Sequence, residues 1–189
     1  MAKRRDDQLL DRLRPHSHPT AADVTKGLAH ANWVVIDAAA KAAIDLPTAD
    51  VEEPLADALR RLLGPVDDPG ADAMLAVLDV IRKQQITERD LFREALFYER
   101  IQRGFGDGID VGANVRASAC MAVVESGDPS AAVLLTSALF EMQCARSVED
   151  NPVARAAAAR GLGVVGDIAA VAPLRLKLSR RQPPDVSEV

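Results

Sequence analysis

The strongest constraint on the fold of this chain is a segment of sequence that occurs twice. Residues 114–139 align with residues 153–178, without a gap, when one segment is shifted by 39 positions. The shift superimposes two Gly-Asp pairs, whose second members are Asp128 and Asp167. A repeat of about 40 residues, in which a tight turn separates two helices, is typical of α-solenoids. The repeat therefore predicts an all-α, right-handed superhelix of helical hairpins.

Helix start signals extend this period toward the N-terminus. Thr48, Thr87, Asp128 and Asp167 are separated by 39, 41 and 39 residues. Each side chain can cap a helix by accepting a hydrogen bond from one of the first free backbone N–H groups. The spacing predicts that a helix follows each of these four residues.

Two prolines occupy equivalent positions in the predicted units. Pro54 and Pro173 each lie six residues after a predicted cap, at Thr48 and Asp167. Because proline lacks the N–H that a helix interior needs, it predicts a bend or a late helix start at both sites.

Helical spacing of apolar residues, read with these signals, predicts ten helices. They are expected near residues 5–13, 21–30, 33–44, 51–63, 71–83, 88–97, 113–126, 130–141, 152–165 and 168–179. An irregular N-terminal helix pair would occupy residues 1–31, and residues 180–189 would form a flexible tail. Four repeats would lie between them, at about 32–63, 70–97, 112–141 and 152–179. Trp33 follows the predicted cap Asn32 and is expected to pack against the first helix pair.

Composition restricts the classes of function. Apolar residues make up 48% of the chain and aromatic residues 3%, so alanine, leucine and valine supply most of the core. The net charge of −5 argues against a general nucleic-acid binder, because neutralising phosphates requires a basic face. No apolar stretch is long enough for a signal peptide or a membrane span. With only two cysteines, Cys120 and Cys144, we expect a cytoplasmic protein with reduced thiols, the alternative being a disulfide between them.

Short motifs in the two C-terminal units resemble a known repeat family. They are VRASA at 115–119, ARAAA at 154–158, the two Gly-Asp turns and APLRLKL at 172–178. These units resemble bacterial HEAT-like repeats, the type also found in phycobilin lyases. More broadly, residues from about 20 to 179 resemble uncharacterised bacterial HEAT-repeat proteins.

The resemblance implies an armadillo/HEAT-like scaffold that binds other proteins. It does not imply lyase activity, because many unrelated functions use the same repeat. It also implies a structural ladder between neighbouring units, formed by the recurring residues Arg116, Asp128, Arg155 and Asp167, the alternative being that these residues bind a ligand.

The regular spacing of the predicted helices is interrupted at residues 98–112, a predicted loop with four glycines. Loops of this length are either functional or plain connectors. Tyr98, Arg100, Arg103 and Phe105 combine the aromatic and cationic side chains that dominate binding hot spots, which favours contact with a partner. We expect the loop to bury little backbone and to be dispensable for folding.

Two other interpretations of this loop lack support. A phosphate-binding loop would need a preceding strand and a Lys-Ser/Thr pair after the glycines. Asp107 and Asp110 could ligate calcium, but the remaining spacing of a calcium loop is missing.

The second helix of each hairpin should line the concave surface. The polar residues there change from acidic at Glu52, Glu53 and Asp57 to basic at Arg175. Such a gradient fits a protein or peptide with a complementary order of charges, the alternative being ordinary solvated surface.

No residue pattern predicts catalysis, a cofactor or a metal. His16, Ser17, His18 and His30 could form a metal cluster, but polar residues in a surface turn are the simpler interpretation. No nucleophile with a base and an acid has a recognisable motif.

The sequence therefore predicts a non-enzymatic scaffold that binds another protein or peptide through its concave face and the 98–112 loop. One alternative is an accessory subunit or lyase for a tetrapyrrole-bearing protein, and another is a nucleic-acid-binding HEAT-like protein. We also expect the C-terminal hairpin to leave an apolar face open, through which the protein would bind a partner or a second copy of itself. Its apolar residues are Val164, Val165, Leu174 and Leu178.

Overall fold

The computed structural model describes residues 5–64, 68–102, 109–141 and 152–179, and most of these residues are helical. Its ten α-helices in those ranges are α1 (Arg5–Arg12), α2 (Ala21–Leu28), α3 (Trp33–Ala43), α4 (Thr48–Leu63), α5 (Asp72–Lys83), α6 (Arg89–Leu96), α7 (Gly112–Glu125), α8 (Ala131–Glu141), α9 (Pro152–Val165) and α10 (Val171–Ser179). The all-α prediction is confirmed, and each helix begins and ends within three residues of its predicted span. The grouping into four repeats stays a prediction, and the predicted tail lies outside the described residues.

Side-chain caps explain where several helices begin. Thr20 and Asp23 form a reciprocal capping box at α2, and the hydrogen bond from the Thr20 hydroxyl lowers the pKa of Asp23. Asn32 caps α3 by accepting the N–H of Val34 at 3.0 Å, and Trp33 packs against the core as expected.

Two of the four predicted caps are wrong. Thr48 is the first residue of α4, and Pro47 precedes it without a side-chain cap. Thr87 lies too early, because the buried Ile86 fixes the chain just before it and α6 begins only at Arg89. The other two predicted caps bond as expected. Asp128 accepts the N–H of Ser130 at 2.8 Å, and Asp167 accepts that of Ala169 at 2.8 Å.

The two equivalent prolines have different outcomes. A 3₁₀ turn, Ile168–Ala170, delays α10 to Val171, so Pro173 lies in the first turn, where its missing N–H has no intrahelical partner to lose. The late start predicted there is confirmed. At Pro54 a late start is wrong, since α4 begins earlier than predicted and runs through the proline, and the alternative of a bend there stays a prediction.

The helices pack in two layers that follow the order of the chain. Odd-numbered helices contact each other in the sequence α1, α3, α5, α7 and α9, while α2, α4 and α6 contact each other in the second layer. Each of α2, α4, α6 and α8 also packs against the helix that follows it. One continuous apolar core, which begins at Leu9 and reaches Ala170, fills the space between the layers.

Long polar side chains tie neighbouring hairpins together at helix ends. Arg61 of α4 donates to the carbonyls of Leu28, Ala29 and His30 at the end of α2. Gln84, which follows α5, donates to the carbonyls of Ala43, the last residue of α3, and of Leu46 just after it, at 2.8 and 3.1 Å. Arg89 of α6 likewise donates to carbonyls that follow α7. These bonds satisfy the carbonyl groups that a helix end leaves without partners.

Candidate functional site

The base of the 98–112 loop is held by a buried ion pair. The guanidinium of Arg116, on α7, pairs with the carboxylate of Asp110, and both side chains are less than a tenth exposed. Arg116 Nη1 also donates to the carbonyl of Tyr98 at 2.9 Å, and the Gly112 N–H donates to Asp110 Oδ1 at 3.1 Å. These bonds join both sides of the loop to the start of α7.

A short antiparallel ribbon continues from this base. The strands β1 (Ile101–Gln102) and β2 (Ile109–Asp110) pair so that Ile101 lies opposite Asp110. A Cβ atom at Gly112 would lie 2.9 Å from the Tyr98 carbonyl oxygen, so only glycine allows the two sides to approach this closely. The expectation that the loop buries little backbone is therefore wrong for its base.

The predicted binding residues of the loop differ in their burial and contacts. Tyr98 is half-buried against the core, and Arg100 is half-buried and takes part in an electrostatic or hydrogen-bonding contact. Asp110 is engaged by Arg116, which leaves it a poor calcium ligand. Arg103, Phe105 and Asp107 lie outside the described residues. Sequence reasoning missed the exposed Ile101 and Ile109, whose apolar side chains flank the loop.

A groove between α2 and α4 contains two of the three predicted acidic residues. Its volume is about 540 Å³, and Glu53 and Asp57 line it beside an apolar floor that includes Leu28, Pro54 and Ala58. Glu52 is exposed on the same helix but does not line the groove. The helical spacing of four between the two lining carboxylates places them on one side of α4.

Two arginines adjoin these carboxylates. Arg61 is held by the carbonyls at the end of α2, which fixes α4 against that helix. Arg60 pairs with Asp57, but both side chains are more than half exposed, so the pair contributes little stability. A cationic ligand could replace Arg60 at Asp57 with little loss.

A second groove, which sequence reasoning missed, lies where α5, α6 and α7 meet. Its volume is about 690 Å³. Arg82 forms a two-pronged ion pair with Glu125 at 2.8 Å for both bonds, and these bonds raise the pKa of Arg82. Asp79 and the exposed Lys83 also line it, so this groove, like the groove beside α4, is lined by two acidic and two basic residues.

Of the predicted ladder residues, Arg116 and Asp128 have partners in the structure that the sequence did not predict. Asp128 accepts two bonds from Arg93 of α6, at 2.8 and 3.0 Å, which hold the pKa of its carboxyl below the usual range. This contact crosses between two predicted repeats. Asp167 is exposed, and Arg155 is half-buried with an interaction of its own.

Asp68, just before α5, is a buried acid that sequence reasoning also missed. Its Oδ2 accepts the N–H of Met74 at 3.0 Å, while Oδ1 has no hydrogen-bond partner among the described residues. Burial raises the pKa of this carboxyl. The signal in the sequence is weak, since an acid before a helix is equally typical of an exposed cap.

The histidines and cysteines are placed as follows. His30 Nδ1 accepts the N–H of Asn32, while His16 and His18 are exposed. Among the described residues, no group of three or more side chains is arranged to hold a metal ion. Cys120 is a buried free thiol whose pKa burial raises to about 12, and Cys144 lies outside the described ranges.

At the C-terminal hairpin, Arg175 lies in a shallow, mostly apolar groove. The groove is lined by Ile168, Val171, Ala172, Arg175 and Leu176. Val164 is 64% exposed, as expected of an open apolar face. Val165 and Leu174 were expected on that face but pack against the core, and the side chain of Leu178 is outside the described part.

Comparison with known proteins adds no relative. No family model matches the chain, and no curated protein or solved structure matches it either. Every helix within the described ranges is too short or too polar to cross a lipid bilayer.

Proposed function

We propose that this protein is a non-enzymatic scaffold, a HEAT-like α-solenoid that binds a basic segment of another protein. The order of packing supports the solenoid: odd-numbered helices stack on odd-numbered helices, and each hairpin meets mainly its neighbours in the chain. The period of the repeated segment agrees with this order.

The groove between α2 and α4 is the observation that carries the binding proposal. Glu53 and Asp57 line it one helical turn apart, and Asp57 is paired with the exposed Arg60. A lysine or arginine of a ligand would take the place of Arg60 at Asp57 and form charge-assisted hydrogen bonds. Apolar ligand residues on either side of the cation would lie on Leu28, Pro54 and Ala58.

The 98–112 loop supplies the second contact of the proposed scaffold. Its base is fixed by the Arg116–Asp110 pair. Arg103 and Phe105 lie between the two strands of that base in the sequence. A ligand that reaches both surfaces would gain affinity from the second contact without losing further freedom of motion.

A peptide library tests the proposal directly. Immobilised ten-residue peptides that vary the position of a single lysine within an apolar background are probed with the full chain. We expect binding to peptides with a central lysine, and at least a tenfold weaker Kd for the double variant E53Q/D57N.

The variant E52Q is the matched control, because it removes one carboxylate from the same helix outside the groove. It should bind like the unaltered protein. Equal weakening by E52Q, or no preference for lysine in any peptide, would refute the assignment of this groove.

A further inference from the structure

The outer face of the C-terminal hairpin combines small, apolar and basic residues. We call it the terminal face. It consists of exposed residues on α9 and α10 and between them: Ala156, Arg160, Gly163, Val164, Ile168, Val171, Ala172 and Arg175. Ile168 is 84% exposed, the highest value among the exposed large apolar residues of the described chain.

The equivalent surface one predicted repeat earlier shows what packs against a face of this kind. There, α9 packs against α7 and α8 through alanines and a glycine. A Cβ atom at Gly161 would lie 2.9 Å from Leu135 Cδ1 and 3.3 Å from Val124 Cγ2, so the helix backbone sits close to both side chains. By the shift of 39 positions, Val124 corresponds to Gly163. The α9 side of the terminal face is thus the counterpart of a surface that a helix partly covers, whereas Glu125, Pro129 and Val133, the counterparts of Val164, Ile168 and Ala172, stay exposed.

No residue in the described part of the chain packs against the position of a side chain at Gly163. This glycine lies inside α9, where glycine is a poor helix former compared with alanine. A Cβ atom there would meet no other atom within 4 Å. Ala156 lies seven residues earlier on the same side of the helix. A helix backbone that approaches from outside would make use of both small residues.

The charge of the terminal face distinguishes between the ligands that could cover it. Arg160 and Arg175 are exposed on the terminal face, and the exposed Asp167 beside Ile168 is an acidic residue at its border. The two bases outnumber this acid, so a second copy that used the same face would bring two surfaces of net positive charge together. At the opposite end of the stack, α1 exposes Asp7, Gln8 and Arg12 and offers no apolar stripe to cover Ile168.

We propose that the terminal face binds an amphipathic helix of another protein. The apolar side of that helix carries alanine or glycine where the backbones cross, and its flanks carry aspartate or glutamate. This surface is separate from the groove beside α4, so a helical ligand and a basic segment can be held together.

Two stapled helical peptides test the proposal by fluorescence anisotropy. The first carries the sequence of residues 152–165, the helix that covers the equivalent face. The second carries the same sequence with R155E and R160E, which adds acidic flanks. We expect the full chain to bind the acidic peptide at least tenfold more tightly than the basic one.

Three protein variants complete the test. G163L should weaken binding of the acidic peptide at least tenfold, because a side chain there blocks the close approach, while A49L on the exposed surface of α4 should not. R160E/R175E should reverse the preference toward the basic peptide. Circular dichroism verifies that each variant is folded.

Three outcomes would overturn the proposal. They are equal affinity for both peptides, affinity for the acidic peptide that G163L leaves unchanged, and a dimer of the unaltered chain that G163L converts to monomer in sedimentation. The last result would assign the terminal face to a second copy of this chain.

Discussion

Asp128 and Asp167 hold the same position in the two copies of the repeated segment, but their surroundings differ. Both accept a backbone N–H two residues further on, at 2.8 Å. Asp128 is also buried and paired with Arg93 of the preceding hairpin, whereas Asp167 is exposed. A repeated sequence therefore fixes the local bond, while the neighbouring hairpin sets how much stability the residue contributes.

The glycines of α9 show the same contrast within one helix. Gly161 faces α7 and α8, where a Cβ atom would be crowded, and Gly163 faces outward into open space. On the enclosed side of α9, contact with α7 and α8 limits which residue the helix can carry. On the outer side, only a bound ligand would limit it.

Removal of Arg116, which lies in the first copy of the repeated segment, should cause the largest loss in the free energy of unfolding. R116A leaves the Asp110 carboxylate buried without its partner, and such a loss typically costs about 3–5 kcal/mol. R116K is the control, since it keeps the charge but loses the two-pronged geometry. Its free energy of unfolding should lie between those of the unaltered protein and R116A. Urea denaturation measures both. A difference below about 1 kcal/mol would show that the loop base is not part of the folded unit.

The two aspartates give the next largest effect. D128A removes a cap and a buried, charge-assisted pair, and we expect a loss of about 2–3 kcal/mol in the free energy of unfolding. D167A removes an exposed cap alone and should cost about 0.5–1 kcal/mol. Thermal melts of the two variants compare the copies directly. Equal shifts in Tm would mean that contact with Arg93 contributes nothing.

The smallest effect has the opposite sign. G163A should raise the free energy of unfolding by about 0.5–1 kcal/mol, because alanine favours the helix and its Cβ meets nothing. G161A makes the same change two residues away, slightly more than half a turn of the helix. There Leu135 must move to admit the methyl group, so G161A should gain less or destabilise. Equal gains from both would show that α9 is not packed closely against α8.

The positions of the helices followed from sequence because they depend on local signals. Periodic apolar residues and the Gly-Asp turns act within a few residues of each helix, and the structure agrees with them closely. The prolines show where such signals stop: Pro54 and Pro173 present the same missing N–H, but only Pro173 coincides with a helix start.

The partners of side chains could not be predicted in the same way. Arg93 and Asp128 lie 35 residues apart, and their pairing depends on how one hairpin is placed on the next. Similarly, Glu52 and Glu53 are indistinguishable in sequence, and only the position of α2 determines that Glu53 lines a groove. The burial of Asp68 likewise depends on packing around the start of α5.

The bonds that Arg61, Gln84 and Arg89 make across hairpins couple the opening of one hairpin to the next. When α5 opens, Gln84 releases the carbonyls of Ala43 and Leu46, and the last turn of α3 becomes easier to unravel. Backbone amides in adjoining hairpins should then exchange with solvent hydrogen at linked rates rather than independently. A stack joined in this way resists fraying at a single hairpin but transmits an opening along its length, so a ligand that holds one hairpin slows exchange in its neighbours.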